Sequence, residues 1–377
     1  MIYLDHAATT PVNQAALQAA WPLLTSNFGN PNSVHQVGLA AAEAFDQARA
    51  KVATWLGCRA SEVVFTSGGT ESNNLAIKGI ALANPRGRHI ISAQTEHESV
   101  LQPIDYLVRH HGFEVTWLAP DPTGQITVDQ LLVALRPDTT LVTLMLSNNE
   151  VGTVHDIGDL AATAKAHGVR FHTDAVQAAG WLDCNVAALG VQALSLSGHK
   201  FGAPKGSGVL YLSDRIAPEP VIHGGGQEFE RRSGTQNVAW AVAIAEALEQ
   251  LPTPTDASTA TTRLRDAFIQ QVLAGIPNAV LTGATGGNRH PAHASFVFPG
   301  VNGETLLLDL EHAGVICSSG SACAAGSTDP SHVLVALGLD ADLAQSAVRF
   351  SFGHQTTQDD LHQAATALIQ AWKAHAQ

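Results

Sequence analysis

Ser195-Leu-Ser-Gly-His-Lys200-Phe-Gly-Ala-Pro-Lys-Gly206 is the stretch on which the reading of this chain turns. The apolar run 191–196 has the length and character of a buried strand, and it ends in a small polar turn that displays one lysine before a glycine-punctuated segment. A lysine at a strand end is either a solvated loop residue or a nucleophile made reactive by partial burial, one that forms a Schiff base. The rest of the chain decides between them.

Working outward from Lys200, the flanking sequence repeats one pattern. Strands at 63–65, 89–92, 115–118 and 141–146 alternate with helices at 71–82, 99–110, 128–135 and 157–167. Strands at 169–172, around Leu194 and at 209–212 complete the set. Such alternation predicts an α/β fold with a large, mostly parallel sheet covered on both faces. Before it come helices at 13–24 and 39–56; after it, a helix at 238–251. The run 252–258, Pro-Thr-Pro-Thr-Asp-Ala-Ser, reads as a boundary. Beyond it a helix, strands at 295–298 and 348–352, a helix at 304–312 and a terminal helix predict a small α+β domain. The expected division is 13–251 for the large domain, with 1–12 and 252–377 forming the small one.

Composition narrows the function. The chain has 377 residues, 45% hydrophobic and 14% charged, as globular proteins do. Its formal net charge of -13 argues against broad nucleic-acid or anionic-membrane binding. No segment approaches the roughly 18 apolar residues of a membrane span, and the N-terminus lacks the basic region and apolar core of a signal peptide. A cytoplasmic protein is expected. Cys58, Cys184, Cys317 and Cys323 are scattered without a CxxC pair, and the histidines form no HExxH pattern, so neither a disulfide framework nor a metal site is expected.

In an open parallel sheet, ligands bind beyond the carboxyl ends of the strands. Those ends carry Thr66-Ser-Gly-Gly-Thr70, Thr95-Glu-His97, Ser147-Asn-Asn149-Glu150, Thr173-Asp174-Ala-Val-Gln177 and Ser197-Gly-His-Lys200, with His172 counted among the edge histidines. Gly68-Gly69-Thr70 is either an ordinary turn with a threonine cap or a phosphate cradle at a helix N-terminus. It matches neither a P-loop nor GxGxxG. Asp174 is either a strand-end cap or the partner of a cationic ring nitrogen, and His97 either a satisfied loop residue or an acid/base group beside a cofactor. Together, a phosphate cradle, a carboxylate, an imidazole and a displayed lysine are what pyridoxal phosphate requires.

The chain resembles the pyridoxal-phosphate cysteine desulfurases, on the class V branch of the fold type I aminotransferases. The resemblance runs from end to end: Tyr3-Leu-Asp-His-Ala-Ala-Thr-Thr-Pro11, Phe28-Gly-Asn-Pro31, Thr66-Ser-Gly-Gly-Thr-Glu-Ser-Asn-Asn-Leu75, Thr95-Glu-His97, Asn148-Asn-Glu150, Asp174, Gln177, Ser197-Gly-His-Lys200, Arg232-Ser-Gly-Thr235, Ser318-Ser-Gly-Ser-Ala-Cys323 and Arg349-Phe-Ser351. It implies that Lys200 binds the cofactor covalently, that Asp174 pairs with the pyridinium nitrogen and Gln177 with the ring hydroxyl, and that His97 stacks on the ring and moves protons. Gly69, Thr70, Ser197 and His199 would hold the phosphate, with Thr235 reaching in from the second subunit of a homodimer. Asn149 and Arg349 would take the carboxylate of L-cysteine. Cys323 would receive its sulfur as a persulfide, leave alanine, and pass the sulfur to an acceptor protein for iron-sulfur clusters, thio-cofactors or tRNA.

The loop around Cys323 resembles the longer-loop group of that family. Cys317, Cys58 and Cys184 are expected to be inert. Two departures stand out: Phe229-Glu230 follows Gly224-Gly-Gly226-Gln-Glu228 where the family often has a basic residue, and a tail for docking a scaffold protein is expected to be short. The competing enzymes are a selenocysteine lyase or an aminotransferase on the same fold, the latter having no need of Cys323. The competing non-enzyme is a sulfur-relay scaffold, which would have lost Lys200 or Cys323.

Overall fold

The computed structural model describes residues 1–83, 86–320 and 329–375, with backbone alone at 254–257. Its strands are β1 (Ile2–Tyr3), β2 (Val63–Thr66), β3 (His89–Ala93), β4 (Glu114–Leu118), β5 (Thr139–Thr143), β6 (Arg170–Asp174), β7 (Ala193–Ser197), β8 (Gly208–Leu212), β9 (Val280–Leu281), β10 (His293–Val297), β11 (Val315–Ile316) and β12 (Val348–Ser351). Seven of them form one sheet in the order β2-β8-β7-β6-β5-β3-β4. Every pairing from β7 to β4 is parallel; β8 alone runs against its neighbours β2 and β7. The fold is α/β, fold type I, as expected.

Alternation along the strands builds the two covered faces. Val63, Phe65, Ile91, Val142, Leu194 and Val209 pack with helices Gln14–Thr25, Gln36–Leu56 and Val238–Glu249. Val64, Ile90, Leu141, Ala193 and Leu210, one residue out of step, pack with Gly69–Ala83 and Glu98–His111. Each buried Leu, Ile, Val or Phe side chain contributes roughly 1.5–3 kcal/mol, so a one-residue slip of any strand is strongly opposed.

The C-terminal segment has its own core. Phe268, Phe296, Phe350, Phe352, Leu361 and Leu368 pack together, and Leu4 from the N-terminus joins them. β1 pairs in parallel with β11, and β10 lies between β9 and β12 in an antiparallel sheet. Within the run 252–258, Pro254 opens the helix Pro254–Gly275. Proline suits a first helical position, where its missing N–H removes only a donor that lacks an intrahelical partner. The two-residue strands β9 and β11 are too short to leave a periodic signal.

Candidate active site

Lys200 sits where β7 hands over to β8. Ser197 lies opposite Gly208 in that antiparallel pair, and residues 198–207 between them open into the turn that carries the lysine. Its Nζ donates to the carbonyls of Ala7 at 2.5 Å and Ala8 at 2.8 Å. Thr10 Oγ1 donates to the carbonyl of His199 at 2.9 Å, and His199 Nδ1 lies 3.1 Å from Thr9 Oγ1. The N-terminal segment is thus tied down over the lysine turn. Burial, aided by Lys200 and Lys205, lowers the His199 pKa to about 4, so the ring is neutral at pH 7.

Beside this turn Gly68 and Gly69 make a bare concavity. A Cβ on Gly208 would meet Gly68 Cα at 2.6 Å, and one on Gly69 would meet Val176 Cγ2 at 2.7 Å. A cavity of about 360 Å3 opens here, lined by Gly69, Thr70, Ser197, His199 and Lys205. Gly69 begins a helix, whose first N–H groups have no intrahelical partner and carry the positive end of its dipole. The chemistry of this donor set fits a phosphate group.

A larger cavity of about 580 Å3 adjoins it, with Lys200, Asp174, His97 and Arg349 in its wall. Asp174 closes β6; its Oδ1 accepts the Val176 N–H at 2.9 Å and its Oδ2 accepts from Asn73 Nδ2 at 2.7 Å. His97 caps the helix Glu98–His111, with Nδ1 accepting the Ser99 N–H at 3.0 Å. Gln177 donates from Nε2 to the Ala7 carbonyl at 3.0 Å. Next to His97, Glu96 is fully buried, and desolvation, reinforced by Asp174, pushes its pKa well above the usual carboxylate range despite the N–H of Met145 at 2.7 Å.

At the far end of the cavity, β12 delivers Arg349, 1% exposed. Its Nη2 pairs with Asp5 Oδ1 at 2.8 Å and its Nη1 donates to the Asn149 carbonyl at 3.1 Å. Its Nε finds no hydrogen-bond partner among the described residues. A buried guanidinium with an unmatched N–H is suited to a small carboxylate. Glu150 and His332 share this wall, Glu150 accepting from Ser331 Oγ at 2.5 Å and His332 Nε2 lying 2.9 Å from the Glu96 carbonyl.

The fold therefore brings Gly69, Thr70, Ser197 and His199 to one end of a continuous site, with Asp174, Gln177, His97 and Lys200 in the middle and Asn149 and Arg349 at the other. Thr235 is exposed and outside both linings. Cys323 lies outside the described residues. Burial raises the thiol pKa of Cys58 to about 12 and pushes those of Cys184 and Cys317 higher still. His172 is not an edge residue: it is fully buried within β6, bridging Thr143 Oγ1 at 2.8 Å and Ser195 Oγ at 3.0 Å. A third cavity, of about 570 Å3, shares Ala7, Gln177 and Lys200 with the one of about 580 Å3, but it lacks both the glycine turn and Arg349. Sequence reading missed Asn73 and Ser99 as site residues; the available signal for Asn73 was a polar residue one helical turn beyond Gly69, on the face that meets the sheet.

A lysine turn, a carboxylate at the neighbouring strand end and a glycine cradle, set on a seven-stranded sheet of this order, define a pyridoxal-phosphate enzyme of fold type I. The model of the family Aminotransferase class-V matches residues 2–363. The chain is 44% identical to Cysteine desulfurase IscS of Dictyoglomus turgidum over 363 residues, 96% of this chain and 92% of that protein. Among solved structures it is similar to a NifS-like protein, with TM-score 0.90 and 33% identity over 99% of both chains. It is also similar to SspA in complex with cysteine, with TM-score 0.83 and 37% identity over 95% of this chain and all of that one. The chain belongs to the class V aminotransferase family, among its cysteine desulfurases.

Proposed function

We propose that this cysteine desulfurase moves the sulfur of L-cysteine onto Cys323 and then to an acceptor protein, leaving L-alanine. The observation that carries the reading is the presence of Lys200 and the buried Arg349 in the wall of one cavity of about 580 Å3. Pyridoxal phosphate, when bound, supplies an electron sink for the substrate α-carbon. Gly69, Thr70, Ser197 and His199 would hold its phosphate, Asp174 its ring nitrogen and Gln177 its ring hydroxyl. Thr235, exposed in one copy, would complete the phosphate site of a second copy in a homodimer.

Arg349 and Asn149 would orient the substrate carboxylate. Lys200 Nζ would hold the cofactor covalently, and the same amine would move the α-proton, with His97 alongside. The Cys323 thiolate attacks the substrate sulfur: an S–S bond forms, the Cβ–S bond breaks, and its electron pair stays with carbon, which takes up a proton. The acceptor protein takes the sulfur for iron-sulfur, thio-cofactor or tRNA use in the cytoplasm. Among the described residues no helix is long and apolar enough to cross a membrane. The proposed division, 13–251 against 1–12 with 252–377, is supported by Leu4 packing in the C-terminal core.

The test is alanine formation from cysteine. Cys323→Ser should retain bound cofactor and lose alanine and persulfide formation by about 1,000-fold or more, the scale on which loss of a nucleophile acts. Undiminished alanine formation by Cys323→Ser would overturn the sulfur route, and bound cofactor that resists dialysis in Lys200→Ala would overturn the assignment of the lysine.

A further inference from the structure

The neutral imidazole of His97 can carry its hydrogen on Nδ1 or on Nε2, and only the groups around it decide which. A chain of hydrogen bonds starts at Asp174, whose carboxylate offers acceptors. Asn73 Nδ2 lies 2.7 Å from Asp174 Oδ2 and 2.8 Å from Ser99 Oγ. The amide must present its NH2 to both, because a flipped amide would set Oδ1 against the carboxylate. Ser99 Oγ has one hydrogen; accepting from Asn73, it turns that hydrogen onward to His97 Nδ1 at 2.8 Å. The Ser99 backbone N–H reaches the same nitrogen at 3.0 Å. Two donors converge on Nδ1, so it must accept.

Three elements meet in this chain: the end of β6, the helix Gly69–Ala83 and the start of the helix Glu98–His111. Asn73, Asp174 and Ser99 are all buried, so bulk water competes little for these bonds.

We propose that Asp174, acting through Asn73 and Ser99, holds His97 as the Nε2–H tautomer, so that the ring meets bound substrate as a hydrogen-bond donor. Asn73 and Ser99 are positioning residues in this arrangement. The inference rests on the reading of His97 and Asp174 as site residues. Its consequence is a division of labour. His97 can take up a proton only at Nδ1, against two donors, so abstraction of the α-proton falls to Lys200, while His97 steers and donates.

The tautomer is directly observable. In histidine-selective 15N-labelled, pyridoxal-phosphate-loaded enzyme at mildly alkaline pH, long-range proton–nitrogen NMR should show a pyridine-type Nδ1 and a pyrrole-type Nε2 for His97, assigned by their loss in His97→Gln. A pyrrole-type Nδ1 overturns the proposal. Ser99→Ala and Asn73→Leu remove the side-chain arm and keep the Ser99 backbone N–H; in them both nitrogen resonances should move toward the exchange-averaged position between the two types, with the melting temperature of Ser99→Ala held. Unmoved resonances in Ser99→Ala would leave the helix cap as the sole cause and overturn the relay, even if Asn73→Leu fails to fold. Alanine formation is measured on the same wild-type sample. Activity with the other tautomer sinks this inference alone, whereas inactivity with the expected tautomer sinks the functional reading alone.

Discussion

Arg349 Nη2 lies 2.8 Å from Asp5 Oδ1, joining residues 344 positions apart in the chain. Asp5 is the counter-ion of a guanidinium that is 1% exposed, and the pair ties the segment just beyond β1 to β12 at the far end of the cavity.

Removing that counter-ion leaves a buried cation unmatched, which costs about 3 kcal/mol. Asp5→Ala should therefore lower stability to chemical denaturant by about that much. With Arg349 in its proposed role, L-alanine, the product, would bring a carboxylate to it and should stabilise Asp5→Ala more than the wild type at the same concentration. Equal stabilisation of the two would show that the carboxylate binds elsewhere.

Arg349→Lys keeps the charge but loses the planar fork and the spare Nε–H. Charge-assisted hydrogen bonds of this kind contribute roughly 1.5–3 kcal/mol, so KM for cysteine should rise about 10- to 100-fold. In the proposed role the interaction would be made equally in ground and transition states, so kcat should change much less. Steady-state kinetics that lowered kcat and left KM alone would contradict this placement.

Acid should unfold the protein through its buried histidines. Burial lowers the pKa of His172 to about 3 and of His290 to about 4, against an ordinary value of 6.5. A lowered pKa means that the unfolded chain binds the proton first. The stability these groups contribute is thus complete above pH 6.5 and is lost as pH falls toward 4 for His290 and 3 for His172. Each can contribute a slope of at most about 1.4 kcal/mol per pH unit in that window. Denaturant titrations at pH 7, 6 and 5 should show the loss, and His290→Gln should flatten it; a stability independent of pH over that range would contradict the buried, neutral rings.

Glu228, Phe229 and Glu230 occupy the left-handed region in succession, with φ of 51°, 57° and 66°. Glu228, 4% exposed, accepts both arms of Arg49 at 2.8 Å and the Phe65 N–H at 3.0 Å, while Phe229 lies against the Arg49 guanidinium at 5.1 Å. This ion pair offsets the strain of the turn. Glu228→Ala should cost about 3–5 kcal/mol, as for other buried pairs broken on one side, and calorimetry or denaturant unfolding will measure it. A loss below 1 kcal/mol would mean that the turn is held by its backbone alone.

Local sequence determined much of this protein. Short apolar strands alternating with longer helices fixed an α/β sheet, and because ligands gather at strand ends, the residues just beyond those strands named most of the cavity wall, Lys200 and Asp174 included. Other features depend on partners far apart in the chain: Asn73 with Asp174 across 101 positions, Glu228 with Arg49 across 179, and Asp5 with Arg349. Spacing carries no trace of such pairs, since either partner alone reads as an ordinary polar residue. The interior position of His172 and the direction of β8 were likewise settled by packing. Sequence supplied the functional groups; tertiary structure decided which of them touch, because burial brings distant polar groups together and then requires that they pair.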